Sequence, residues 1–233
     1  MAKIKWDAAG ERLYETGTKN GVLYPRTEQG GYGTGVPWNG LTAVTESPSG
    51  AEETALYADD QKYLSLYSAE EFGATIEAYT YPDEWAECDG SKEIAPGVMA
   101  GQQARKGFGL CYRTVLGNDE KGESYGYKLH LLYGGMASPS EKSYATINDS
   151  PDAVTFSWEV TTTPIEIAEG LKNSALITID STKADPDKLA ALEEILYGRD
   201  AVEADAQNNI EAVEALEPRL PLPAEVIQKM QQQ

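Results

Sequence analysis

Seven carboxylates crowd into EEFGATIEAYTYPDEWAECDG, residues 70 to 90, beside a tryptophan and a cysteine. Three kinds of chemistry use such a cluster: cation binding, acid–base cleavage of a glycoside, or an acidic wall acting through its field. Asp83, Glu84, Glu87 and Asp89 lack the alternating ligands, turn glycine and closing glutamate of a calcium loop. His130 is the only histidine, which excludes two-histidine zinc sites and HExxH centres. A glycosidase needs only two carboxylates at a set separation, with aromatic platforms for the sugar. The 38 acids and 14 tyrosines permit that reading, but no particular pair stands out. QGGYGTG is rich in glycine, yet no Lys-Ser/Thr follows it, so it is not a phosphate-binding loop.

The acids are unevenly spread. The 233-residue chain carries a net charge of −19. Residues 1–50 hold five acids and five bases, whereas residues 51–100 hold twelve acids and two bases. A surface of that sign repels nucleic acid backbones and excludes the basic-patch type of DNA-binding module. Solubility alone explains scattered charge, but not its concentration in one fifth of the chain. No apolar run is long enough to span a bilayer. MAKIKWDAAGERLYETG has no apolar core of a secretory signal, so folding in a cytosol and no membrane partner are expected. Cys88 and Cys111 are too few for a disulfide framework. Cys111 reads as a buried thiol, with a Cys88–Cys111 bridge as the less favoured alternative.

The elements that must position these residues are mostly strands. Phe72, Ala74, Ile76 and Ala78 alternate with Gly73, Thr75, Glu77 and Tyr79. Val154, Phe156, Trp158 and Val160 alternate with Thr155, Ser157, Glu159 and Thr161, and a similar pattern runs from Tyr125 to Tyr133. GLTAVTES (40–47), KYLSLY (62–67), FGLCYRTVL (108–116) and SALITID (174–180) also read as strands. One helix is well marked at about 185–198: Asp185 caps it, Pro186 opens it, Leu189, Leu192, Ile195 and Leu196 form its stripe, and Gly198 ends it. A thinner stripe at 201–216 suggests a second helix. The fold expected is mainly β: an antiparallel β-sandwich or barrel with one flanking helix and extended N- and C-terminal arms. It divides into a domain over 1–200, with a long loop at 18–40, and an arm over 201–233 whose prolines favour extension, with a short final turn at 224–230.

The run YADDQKYLSLYSAEEFGATIEAYTYPDEWAECDGSKEIAPGVMAGQQARKGFGLCYRT (57–114), continued by YGYKLHLLYGGMASPSEKSYATINDSPDAVTFSWEVTTTP (125–164), resembles a family. It is similar to the major tail proteins, or tail tube proteins, of long-tailed, non-contractile bacteriophages. WNGLTAVTESPSGAEETALYADD and the terminal LPLPAEVI share the likeness, which covers about 38–198 closely and the ends loosely. The resemblance implies a sandwich that assembles with itself into stacked hexameric rings, with neighbouring sheets joined around a lumen. It implies a virion protein assembled in the host cytoplasm. Its partners would be the tape-measure protein and the terminator or distal tail proteins, with viral DNA passing through the lumen unbound. It brings no catalytic residue, cofactor or metal.

On that reading the acids form a wall. The expected lumen-facing residues are Glu70, Glu71, Thr75, Glu77, Tyr79 and Glu159. The expected contacts between rings or subunits are Tyr32, Trp38, Arg105, Lys106, Arg219, Leu220 and Leu222. Residues 18–40 and 201–233 would do the stacking and have no core of their own. The rival readings are another tail ring component, a terminator or distal tail protein, and a carbohydrate-binding or glycoside-cleaving sandwich.

Overall fold

The computed structural model describes residues 3–146, 152–202 and 212–231. Strands and helices are numbered in chain order. The strands are β1 (Leu13–Pro25), β2 (Val36–Pro37), β3 (Leu41–Glu46), β4 (Ser49–Gly50), β5 (Glu53–Ala58), β6 (Gln61–Tyr67), β7 (Glu70–Glu71), β8 (Gly73–Ala78), β9 (Lys92–Ala95), β10 (Val98–Ala100), β11 (Phe108–Asn118), β12 (Gly122–Ala137), β13 (Phe156–Thr162) and β14 (Leu176–Asp180). The helices are α1 (Trp85–Cys88), α2 (Pro186–Tyr197) and α3 (Pro223–Gln231).

β11 and β12 are the centre. FGLCY is apolar at every position because both faces of β11 are covered. Phe108, Leu110 and Tyr112 enter one core, while Cys111 enters a second on the other side. β12 divides the same way, with Leu132 in the first core and Leu129, Leu131 and Tyr133 in the second. The main sheet runs β2-β1-β11-β12-β13-β8-β3, antiparallel throughout, with β14 also on β12.

β12 shares its outer edge between two strands. Leu132 pairs with Leu176 of β14, and Gly135 pairs with Thr162 of β13. The switch falls at Gly134, whose φ is +61°. A Cβ there would sit 2.2 Å from the Thr163 carbonyl oxygen, so only glycine fits. Past the switch, β13, β8 and β3 form a second layer over the first core, into which Ala74, Ile76, Ala78, Trp158 and Val160 point. Trp85 and Cys88 of α1 complete that core. The sheet stays open, with β2 and β3 as its end strands rather than a closed barrel.

The second core is roofed by α2. The Asp185 side chain accepts from the Asp187 and Lys188 backbone N–H groups, and Leu189, Leu192, Ile195 and Leu196 are buried. Cys88 and Cys111 are free thiols in different cores, so they form no bridge.

Two segments depart from expectation. Residues 18–25 belong to β1 rather than to a long loop, with Val22, Leu23 and Tyr24 buried. Gly17 and Asn20 take positive φ at register shifts along β1, and such bulge residues look like loop residues in sequence. The C-terminal extension is not a free arm. The Arg219 N–H donates to Ile195 O at 2.9 Å, and the Tyr133 hydroxyl donates to Pro221 O at 3.0 Å. Leu220 and Val226 are buried in the second core, and α3 packs on α2. Gly109 leaves room for this, since a Cβ there would meet Leu220 Cδ2 at 2.3 Å. The proposed helix at 201–216 is extended at its described ends, where Val202 bridges Val213 and Arg199 bridges Leu216. Its middle lies outside the described residues.

Two substitutions test these joints. Gly134→Ala is expected to cost at least ~2 kcal/mol from backbone strain and collision. Leu220→Ala is expected to cost about 2–5 kcal/mol as a core truncation. Urea unfolding reads both as a lower midpoint at unchanged slope. A cost within error for Leu220→Ala would mean that the extension leaves the core in solution.

Candidate functional site

The residues of YPDEWAECDG are pulled to different jobs. Trp85 and Cys88 turn inward from α1, while Glu87 pairs with Lys106 at 2.9 Å. The nearly buried Asp89 accepts from Lys142 and lies 3.6 Å from Arg105 Nη1. Burial pushes the Cys88 thiol up to about 12. Among the described residues no group of three or more His, Cys, Asp or Glu is placed to hold a metal.

The outer face of the second layer is polar. Glu77 sits opposite Ser157 on β13 and Ala43 on β3, and Thr75 opposite Glu159 and Thr45. Glu77 and Glu159 are therefore diagonal neighbours on adjacent strands, a spacing of about 7–8 Å. Glu159 is exposed, Thr75 and Glu77 are half-buried, and Tyr79 is exposed just beyond β8. Four of the six residues expected on the wall thus share one face.

Glu70 and Glu71 lie elsewhere, for a reason visible in the pairing. β3, β4 and β5 run antiparallel to β8, β7 and β6 in turn: Glu46 faces Ala74, Ser49 faces Glu71, and Glu53 faces Tyr67. Residues 41–78 are one long ribbon whose base is in the sheet. Glu70 and Glu71 are exposed on its stalk. Its tip is closed by Asp59 and Asp60, both at positive φ, in a two-residue turn. The tip is exposed along both strands and projects on the order of 20 Å. Leu56 opposes Leu64 and Thr54 opposes Leu66, giving one aliphatic face. The other face carries Tyr57, Tyr67 and the Glu53–Lys62 ion pair. The ribbon holds eight carboxylates against one lysine.

The expected contact residues are mostly engaged within the chain. Trp38 is buried against Trp85 and Trp158, and Leu220 is buried beneath α3, so neither presents a surface. The Tyr32 hydroxyl accepts from the Gly134 N–H at 2.8 Å, which braces the glycine switch. Arg105 donates to Ala137 O at 3.1 Å, and Arg219 makes two bonds to Glu225. Leu222 alone of this set keeps a large exposed apolar surface. Free apolar surface lies at the ribbon tip, at Ile94, Val98 and Met99 on the β9–β10 hairpin, and at Ile4, Trp6, Leu13 and Tyr14 near the N-terminus. Apolar residues on both faces of KYLSLY carried that signal, but they read equally well as a core strand.

A scan against models of known protein families finds no match, and no curated protein matches the sequence. The surface itself therefore carries the functional argument.

His130 fastens the edge of this layer to the central strands. Its ring stacks on Tyr112 with centroids 4.6 Å apart. Nε2 lies 3.0 Å from Thr114 Oγ1, and Nδ1 lies 3.3 Å from Glu46 and 3.5 Å from Thr178 Oγ1. Thr114 donates to Glu15, which leaves its oxygen to accept from His130 Nε2. Tyr112 donates to Glu46 at 2.7 Å, which ties β3 across the core to β11. Burial lowers the pKa of His130, against the pull of Glu46 and Glu15. Burial also raises that of Glu15, but hydrogen bonds from Lys128 and Thr114 outweigh it, and the net shift is downward.

The sign of the pH dependence follows. An unfolded His130 takes its proton near pH ~6.5, but the folded one takes it lower. Stability is therefore full above that pH and falls as acid passes through the folded pKa, by no more than ~1.4 kcal/mol per pH unit. Glu15 adds a second loss in a lower window, below the usual glutamate range. The measurement is the drop in Tm between pH 7.5 and 5.5, which should shrink in His130→Gln. An equal drop in both proteins would remove His130 as its source.

Proposed function

We propose that this protein is the subunit of a bacteriophage tail tube of the long, non-contractile kind, built from stacked hexameric rings. The observation that carries the reading is the ribbon of residues 41–78. Its base gives an open sheet an acid-bearing face, and its tip offers leucines to solvent. A chain of net charge −19 keeps itself apart in solution. Leucines held out on a ribbon are then a surface awaiting a partner rather than part of a fold.

Ring closure explains the open sheet. An unpaired edge such as β3 presents free N–H and C=O groups that a neighbour's strand satisfies. Head-to-tail symmetry completes this pairing in a closed ring. The face bearing Thr75, Glu77, Tyr79 and Glu159 then lines the lumen. Screening confines its field to about 8 Å at physiological salt. Acids on the wall itself therefore govern passing phosphates, and total charge matters little. DNA meets repulsion instead of counterion-releasing contacts, and slides. The tape-measure protein would fill the lumen before DNA does, and terminator and distal tail proteins would cap the ends. The reading is structural and non-enzymatic, with a place in the virion.

Negative-stain microscopy and light scattering of purified protein test this. Long striated tubes are expected. Isolated rings would favour a terminator or distal tail component, and persistent monomers that bind glycans would favour a carbohydrate-binding sandwich. Glu77→Lys is expected to leave tubes intact and to reduce genome delivery in a complementation assay. Unchanged delivery through tubes containing the variant would remove Glu77 from the lumen.

A further inference from the structure

Two exposed segments of this chain complement each other. The first is the ribbon tip, whose aliphatic face leaves Leu56, Leu64 and Leu66 respectively 42%, 38% and 54% exposed. Lys62 is already paired with Glu53, which leaves Asp59 and Asp60 at the turn without an ion pair among the described residues. A two-stranded ribbon is marginal in water, and a third strand is what stabilises it. The second segment is Lys3–Trp6, which belongs to no strand. It alternates lysine with apolar residues, so in extended form Ile4 and Trp6 share one side and Lys3 and Lys5 the other. Ile4 and Trp6 are 70% and 77% exposed.

We propose that Lys3–Trp6 of a second copy docks along the ribbon tip as its third strand, with Ile4 and Trp6 on the leucine face and Lys3 and Lys5 facing the acids. Main-chain pairing supplies the register, and alternate side chains supply the choice of partner. Charge decides between this segment and the apolar β9–β10 hairpin. The β9–β10 hairpin exposes Ile94, Val98 and Met99, but its Lys92 and Glu93 offset each other and give no preference for an acidic ribbon. Docking within one chain would bury the same surfaces without joining subunits. The proposal commits to exchange between copies and rests on the self-assembly reading above.

Mixed cysteine crosslinking of the full chain separates these cases. One preparation carries Ile4→Cys, and the other carries Leu56→Cys or Leu66→Cys, one on each strand of the tip. The native thiols stay silent, because Cys88 and Cys111 are buried with pKa values pushed up to about 12. Mild oxidation of the mixture is expected to give a crosslinked pair between different variants. The double variant Lys3→Glu/Lys5→Glu is expected to raise the concentration needed for assembly severalfold. Added salt should shrink the difference between this variant and the wild type, by screening the lysine–aspartate attraction. Assembly by light scattering without a mixed crosslink at either position would overturn the docking proposal and leave self-assembly standing. A protein monomeric at every concentration would overturn both.

Discussion

Everything in this molecule depends on a strand pair buried on both faces. β12 is the longest strand of the sheet, and it and β11 carry apolar side chains into two separate cores. Such a pair needs covers on both sides. One cover is helical, from α2 and α3, with Leu220 ahead of α3. The other is the sheet itself, folded over by handing the edge of β12 from β14 to β13. Gly134 makes that handover possible, since a side chain there would run into the backbone of residue 163. The Tyr32 hydroxyl oxygen accepts a hydrogen bond from the Gly134 N–H, and so holds the switch from outside the sheet.

The folding-over gives β13, β8 and β3 two unlike faces. Inward lie Ile76, Ala78 and Trp158, and outward lie Glu77, Ser157 and Glu159. Period-two alternation produces this division at no extra cost, and it makes an acidic surface out of strands that also hold a core. The same two strands then leave the sheet together as a ribbon. Its stability away from the body rests on a tight Asp59-Asp60 turn, cross-strand pairs and the Glu53–Lys62 contact. A strongly anionic chain with leucines at its tip balances repulsion at long range against apolar attraction at contact. Such a balance suits the self-assembling subunit proposed above.

Much of this was legible beforehand, and the failures share a cause. The strands at 41–46, 61–67, 73–78, 108–118 and 176–180 follow from β-branched and aromatic runs, and α2 from Asp185, Pro186 and its leucine stripe. Residues 18–25 were hidden because bulges at Gly17 and Asn20 interrupt the pattern that marks a strand. Trp38 and Leu220 looked like contact residues because prolines and glycines flank them. Both are core residues delivered by extended chain, which has no periodicity to announce burial. KYLSLY erred the other way, since its residues fit a core strand yet stand in solvent.

The sequence by itself determined the mainly β character, the capped helix, the placement of acid in residues 51–100 and the exclusion of two-histidine metal sites. These follow from local propensity, alternation and composition, which act within a few residues. Tertiary structure decided the rest: that β12 splits its edge, that the C-terminal extension completes a core, that Glu77 and Glu159 share a face while Glu70 and Glu71 do not, and that the apolar tip is free. Each is a relation between segments far apart in the chain. Packing and hydrogen-bond partners settle such relations only once the chain has closed on itself.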